Sequence, residues 1–313
     1  MKRKVVKHGP STLIVSLPTN WVKTFGITKG DELEVEEKGT ILLVSTQKSK
    51  KGGIAEVEIT GLDRTSLIFL IRSLYKRGYD EILLHFKKQT LIYHYENKER
   101  TILSVIHEEL HRLSGLEVIQ QNENLCQLKI LSEVSYSEFN NVLRRIFLLI
   151  IDSLNDLTKA IQTKDQFLLE TIEEKHDTIT KLLNYCIRVL NKVGYKEYQK
   201  TCFVQHILAQ LDNLIDVEKN LGRLSLEIKP ELSKEGEQFM QNITSSFILF
   251  KDLFYKFNNQ TIFNIDQLRN KSLNKIKQNS SEFRKKELII LNQFFEISNI
   301  IKDLIESRMA LEY

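Results

Sequence analysis

The first 47 residues are punctuated too closely to enclose a core of their own. Lys4-Val5-Val6-Lys7-His8 runs into Gly9-Pro10, and Thr12-Leu13-Ile14-Val15 follows. Trp21-Val22-Lys23-Thr24-Phe25 is closed by Gly26, and Lys29-Gly30-Asp31 makes a turn. Leu33-Glu34-Val35 and Ile41-Leu42-Leu43-Val44 then flank Gly39. The order is strand, turn, strand, a short helix, turn, strand, turn, strand. A unit this small buries too little apolar surface to be stable alone. It must pair with a second copy or lean on the rest of the protein.

Charge is distributed unevenly. The chain carries a formal +4 over 313 residues, yet residues 1–30 hold Lys2, Arg3, Lys4, Lys7, Lys23 and Lys29 and no acidic residue. Two such patches side by side would make an electrostatic footprint for DNA; a solvated basic end is the simpler alternative. Hydrophobic residues make up 42 % of the chain, and no apolar run approaches the roughly 20 residues of a membrane span. The basic start leads into alternating strand residues rather than a signal-type apolar stretch, so a cytoplasmic protein without membrane insertion is expected. Cys126, Cys186 and Cys202 are far apart and read as reduced, buried thiols. Trp21 and Phe25, four apart, read as packing residues.

Composition divides the remainder of the chain. Gln47 to Gly53 is polar and ends in two glycines, as a linker does. Residues 54–131 read as a small α/β unit of connecting or sensing type. Strands are expected at Ile54–Ile59 and Glu81–Phe86, a helix capped by Asp63 or Thr60, a helix from about Lys98 to Leu113, and a hairpin from Gly115 to Ile130. From 135 to 313 the apolar residues recur at three and four, with breaks near Lys164, Gly194 and Pro230. Two units of three helices, 135–228 and 231–313, suggest an internal duplication. There is no glycine-rich phosphate loop, nucleophile elbow or nucleophile–base pair, so no enzyme activity is expected.

Acidic residues four apart on a helix share one face. Asp212 and Asp216 are such a pair, with Asp212 at the edge of the stripe of Leu208, Leu211 and Ile215 and no basic residue three or four positions away. A carboxylate there needs a metal ion or a group on a neighbouring helix. Glu173 and Asp177 form another pair, but the register that keeps Ile172 and Ile179 inward turns His176 inward and leaves Asp177 to pair with Lys181. Asp152 and Asp156 lie off the apolar stripe and read as a solvated face.

The opening 47 residues resemble the AbrB/SpoVT swapped-hairpin family. That implies an intertwined homodimer binding DNA through residues on or near the first strand and on the short helix: Arg3, Lys4, Lys7, His8 and Lys23. The helices from 135 onward are similar to the PhoU phosphate-uptake regulators, and the combination resembles archaeal-type phosphate uptake regulators. This implies a multidomain α+β fold: a swapped-hairpin β-barrel, the α/β middle unit and tandem three-helix bundles. It also implies at most one divalent or ferric metal ion, held in the first helical repeat by Glu173, His176, Asp212 and Asp216. In the second repeat Asn299 stands where that family places a carboxylate. The expected function is a DNA-binding transcriptional regulator linked to phosphate uptake, with helices that sense a signal or bind a partner. The alternative is an adaptor acting on a phosphate transporter component or sensor kinase, with the head as a dimer clamp.

Overall fold

The computed structural model describes residues 2–38, 40–46, 53–132, 136–278 and 283–313. The linker expected between head and middle unit lies almost wholly outside them. In the head, β1 (Val6–His8) pairs antiparallel with β2 (Thr12–Ile14), placing Val6 opposite Ile14 and His8 opposite Thr12. Gly9 turns the hairpin at φ +73, a left-handed conformation that glycine adopts without steric cost. Helix α1 (Thr19–Phe25) ends at Gly26, also left-handed, with the Ile27 N–H donating to the Val22 carbonyl at 3.0 Å. Strands β3 (Glu34–Lys38) and β4 (Ile41–Ser45) make a second hairpin. Within one chain these are separate two-stranded sheets. Trp21 and Phe25 pack with ring centroids 5.6 Å apart.

The middle unit runs β5 (Ile54–Glu58), α2 (Arg64–Arg77), β6 (Glu81–His85), β7 (Thr90–Tyr93), β8 (Lys98–Thr101), α3 (Ile102–Leu110), β9 (Leu116–Gln121) and β10 (Leu125–Ile130). Its main sheet has the order β5-β6-β10-β9, with β5 and β6 parallel and the other pairs antiparallel. Alternation puts Ala55, Ile82, Leu84, Cys126 and Leu128 on one face, where Leu67, Ile71 and Tyr75 of α2 and Val105 and Ile106 of α3 cover them. Asp63 caps α2 by accepting from the Ser66 N–H at 2.9 Å, while Thr60 bonds to Glu58 instead. One expectation is corrected. Lys98–Thr101 is a strand paired with Thr90–Tyr93, and the helix starts only at Ile102. Lys98-Glu99-Arg100 offers no apolar side chain to a helix face, and Thr101 caps the helix by accepting from the Ser104 N–H.

Beyond the α/β unit the described residues form six long helices: α4 (Phe139–Thr163), α5 (Gln166–Val193), α6 (Thr201–Ile228), α7 (Lys234–Tyr255), α8 (Asn259–Gln278) and α9 (Lys285–Glu312). Lys164 and Lys229 adopt left-handed φ of +57 and +46 at the ends of α4 and α6, and Asp165 restarts the chain as the cap of α5. One apolar core runs through all six. Phe147 of α4 meets Phe254 of α7 at 5.0 Å between centroids, and α6 packs along α9. Cys126 and Cys186 are buried, but Cys202 is exposed, contrary to the expectation for it. It occupies the first turn of α6 on the outer side of the apolar stripe, next to exposed Phe203.

The α/β unit is fastened to α5 by polar contacts. The Arg188 side chain is fully buried. Its Nη1 donates to the carbonyls of Tyr75 at 2.7 Å and Tyr79 at 2.8 Å, its Nη2 pairs with Asp80, and its guanidinium lies over the Tyr75 ring. Asn191 donates to the Lys76 carbonyl at 2.7 Å and Asn184 to that of Arg112 at 3.1 Å. The carbonyls of Tyr75 and Lys76 lie at the C-terminal end of α2, where the macrodipole is negative, so α5 supplies both charge and donors there.

Candidate nucleic-acid interface and carboxylate cluster

Among the head side chains that the structure describes, none is buried. Val6 and Ile14 are 56 % and 47 % exposed on one face of the first hairpin, and Leu13 is 69 % exposed on the other. Val35, Leu42 and Leu43 of the second hairpin are exposed as well. Apolar side chains on both faces of so short a hairpin need cover from outside it. Lys7 and His8 are neighbours in β1 and point to opposite faces, Arg3 and Lys4 precede the strand, and Lys23 is exposed in the last turn of α1. Within one chain these five do not line a single face.

With this geometry the head can be compared with known proteins. Residues 6–51 match the family described as "Antidote-toxin recognition MazE, bacterial antitoxin". The head is thus an AbrB/MazE-like domain, consistent with a DNA-binding regulator or an antitoxin. The MazE match ends before the α/β unit and the helices begin. No curated protein and no solved structure matches the chain.

The four candidate metal residues lie on the facing sides of α5 and α6, each held by ion pairs or hydrogen bonds. His176, 7 % exposed, has Nδ1 at 2.9 Å from Asp177 Oδ1 and Nε2 at 3.0 Å from Asp216 Oδ1. Lys219 Nζ is 2.5 Å from Asp216 Oδ1 and 3.1 Å from His176 Nε2. Glu173 pairs with Arg223, and Asp212 faces Lys76 of α2 at 3.7 Å. Asp177 does not pair with Lys181; it accepts from Arg112 of the α/β unit at 2.8 Å. Lys175 joins Asp152 and Asp156, so that face is an ion-paired one. Among the described residues, no group of three or more His, Cys, Asp or Glu side chains is arranged to hold a metal ion. Each of the four residues is engaged with a protein partner.

These partners set the electrostatics. Burial opposes the charge on His176, but its bonds to Asp177 and Asp216 outweigh burial and raise its pKa. Burial likewise opposes ionisation of Asp216 and Asp177; the bonds from His176, Lys219 and Arg112 prevail and hold both carboxyls below their ordinary range. Lys219, three residues after Asp216, was the one readable signal of this pairing. The partners from the α/β unit, Lys76 and Arg112, are more than 60 residues away along the chain and were not readable.

Two residues beyond Asp216, Glu218 faces the core of α4–α6 and is 1 % exposed. Among the described residues neither carboxyl oxygen has a partner in good hydrogen-bond geometry, although the Ser153 hydroxyl stands close. Burial pushes its pKa up to about 8, only partly offset by nearby Ser153 and Lys175. The ordinary value is 4.5, so the folded protein binds this proton more tightly than the unfolded chain. The associated stability is complete below pH 4.5 and is lost as pH rises through about 8. Thermal melts across that range are expected to fall for the parent and to fall less for Glu218→Gln. Equal slopes for the two proteins would contradict the assignment.

Proposed function

We propose that this chain is a dimeric DNA-binding transcriptional regulator, a binding protein rather than an enzyme. The α/β unit and helices receive the signal or partner to which the head responds. The single observation that carries the reading is the head itself: apolar on both faces of its first hairpin, without a buried side chain among those described, and free of acidic residues through position 30. A second copy completes its core and brings two cationic segments together, as a polyanion requires. The match to an AbrB/MazE-like family supports that assembly. The folded body of more than 200 residues beyond the match supports a regulator over a minimal antitoxin. We connect the signal to phosphate supply through the resemblance of α4–α9 to PhoU proteins. No described helix is long and apolar enough to cross a membrane.

A gel-shift titration against salt tests this reading. Duplex DNA is expected to bind at low salt, with affinity falling steeply as salt rises. Arg3→Gln/Lys4→Gln/Lys7→Gln is expected to weaken binding and flatten the salt dependence. Absence of low-salt affinity, or indifference to these substitutions, would favour the adaptor that acts by protein contact.

A further inference from the structure

Helix α8 contributes less to the core than its neighbours. Of its 20 residues only Ile265 and Ser272 are buried, whereas α9 buries 12 of 28. The outward side chains of its C-terminal half are Asn270, Lys271, Asn274, Lys275, Lys277 and Gln278, all hydrogen-bond donors and none apolar. Charge is concentrated here. Residues 269–286 hold seven Lys or Arg and one Glu, a formal +6. Residues 1–30 also carry +6, and the whole chain only +4, which leaves −8 for everything else.

Local structure accounts for part of this. Lys275 and Lys277 favour the negative end of the α8 macrodipole. Arg269 bonds to Asn299, Arg284 pairs with Glu231, and Lys286 donates to the Ile228 carbonyl. Lys285 is different. It stands in the first turn of α9, at the positive end of that helix, where a cation is disfavoured. Lys271 lies one turn before Lys275 on the same face. Neither Lys271 nor Lys285 has a partner among the described residues.

We propose that the α8–α9 end of the helical body is a second nucleic-acid contact, in which Lys271, Lys275, Lys277 and Lys285 hold the phosphate backbone. The proposal rests on the DNA-binding reading of the head and extends it to a surface outside the MazE match. Phosphate oxygens suit ammonium and amide donors such as these. Exposed Phe263 and Ile289 stand beside these lysines, so the nucleic-acid assignment rests on the charge and on the amide donors interleaved with it along α8, and lipid binding is distinguished by the test below.

The test uses the full-length protein and a fluorescent 30-base-pair duplex of arbitrary sequence, about 100 Å long. Binding is measured across a salt series for the parent, for Lys271→Gln/Lys275→Gln/Lys277→Gln/Lys285→Gln, and for the head variant Arg3→Gln/Lys4→Gln/Lys7→Gln. Removing one lysine–phosphate pairing lowers the salt slope by about 0.9, so the α8–α9 variant is expected to lose up to ~3.6 and to bind about tenfold or more weakly at low salt. Its helicity and melting are expected to match the parent, because all four lysines are exposed. An unchanged slope in this variant with a reduced slope in the head variant overturns the second contact and leaves the head reading standing. No binding by the parent overturns both. Binding of the parent to vesicles of anionic phospholipid that disappears in the α8–α9 variant, with DNA affinity unchanged, assigns the surface to a membrane and overturns the proposal.

Discussion

Leu13→Asp/Ile14→Asp is expected to halve the mass of the protein in solution, from a dimer of 36.7 kDa chains to a single chain, and to abolish DNA binding. The two side chains are 69 % and 47 % exposed and belong to opposite faces of the β1–β2 hairpin. Covering an aliphatic side chain of this size is worth about 1.5–3 kcal/mol. The double substitution removes that gain in both copies and would force carboxylates into the contact, where unpaired charge is costly. Helicity is expected to persist, because the core of α4–α9 takes no residue from the head. Sedimentation with far-ultraviolet circular dichroism measures both. A dimer that keeps its DNA affinity after these substitutions would contradict the assignment.

Arg188→Met is expected to destabilise the protein by about 2–5 kcal/mol, chiefly the cost of leaving two backbone carbonyls without their buried donor. The guanidinium answers the carbonyls of Tyr75 and Tyr79 and the carboxylate of Asp80 at one point. Methionine fills much of the space but answers none of them. Asp80 keeps Lys192 at 2.6 Å, so the loss falls mainly on the two carbonyls at the end of α2. Arg188 also lies where the core of the α/β unit meets that of the helices, through Tyr75 on one side and Ile187 and Val189 on the other. The variant is therefore expected to unfold in two steps in denaturant where the parent unfolds in one. Arg188→Lys keeps the charge but lacks the planar fork, and an intermediate loss is expected. A loss below about 1 kcal/mol with one transition would show that the two units are joined by other contacts.

The sequence was most legible where local chemistry decides the structure. Gly9, Gly26 and Gly30 mark turns that only a left-handed residue makes cheaply, and Asp63 marks a helix start through its side chain. The three- and four-residue apolar rhythm identified the long helices and turned His176 rather than Asp177 inward. It misread Lys98–Thr101 because a β-hairpin partner, not periodicity, sets that segment. The carboxylate cluster was legible as a set of acids but not as a set of pairs. Asp212 meets Lys76 and Asp177 meets Arg112 only after two separate units have docked. Buried Glu218 was hidden for the reverse reason: its position in the stripe of Leu214 and Leu221 suits a hydrophobe, and nothing nearby in sequence marks a carboxyl there as buried.

Hydrogen exchange at residues 6–14, followed as a function of protein concentration, tests the incompleteness of the single head most directly. Protection is expected to be weak in dilute solution and to rise with the fraction of dimer measured by sedimentation in the same samples, while α4–α6 stay protected throughout. Strong protection of these residues in a species that sediments as one 36.7 kDa chain would contradict it, because the hairpins would then be stable without a second copy.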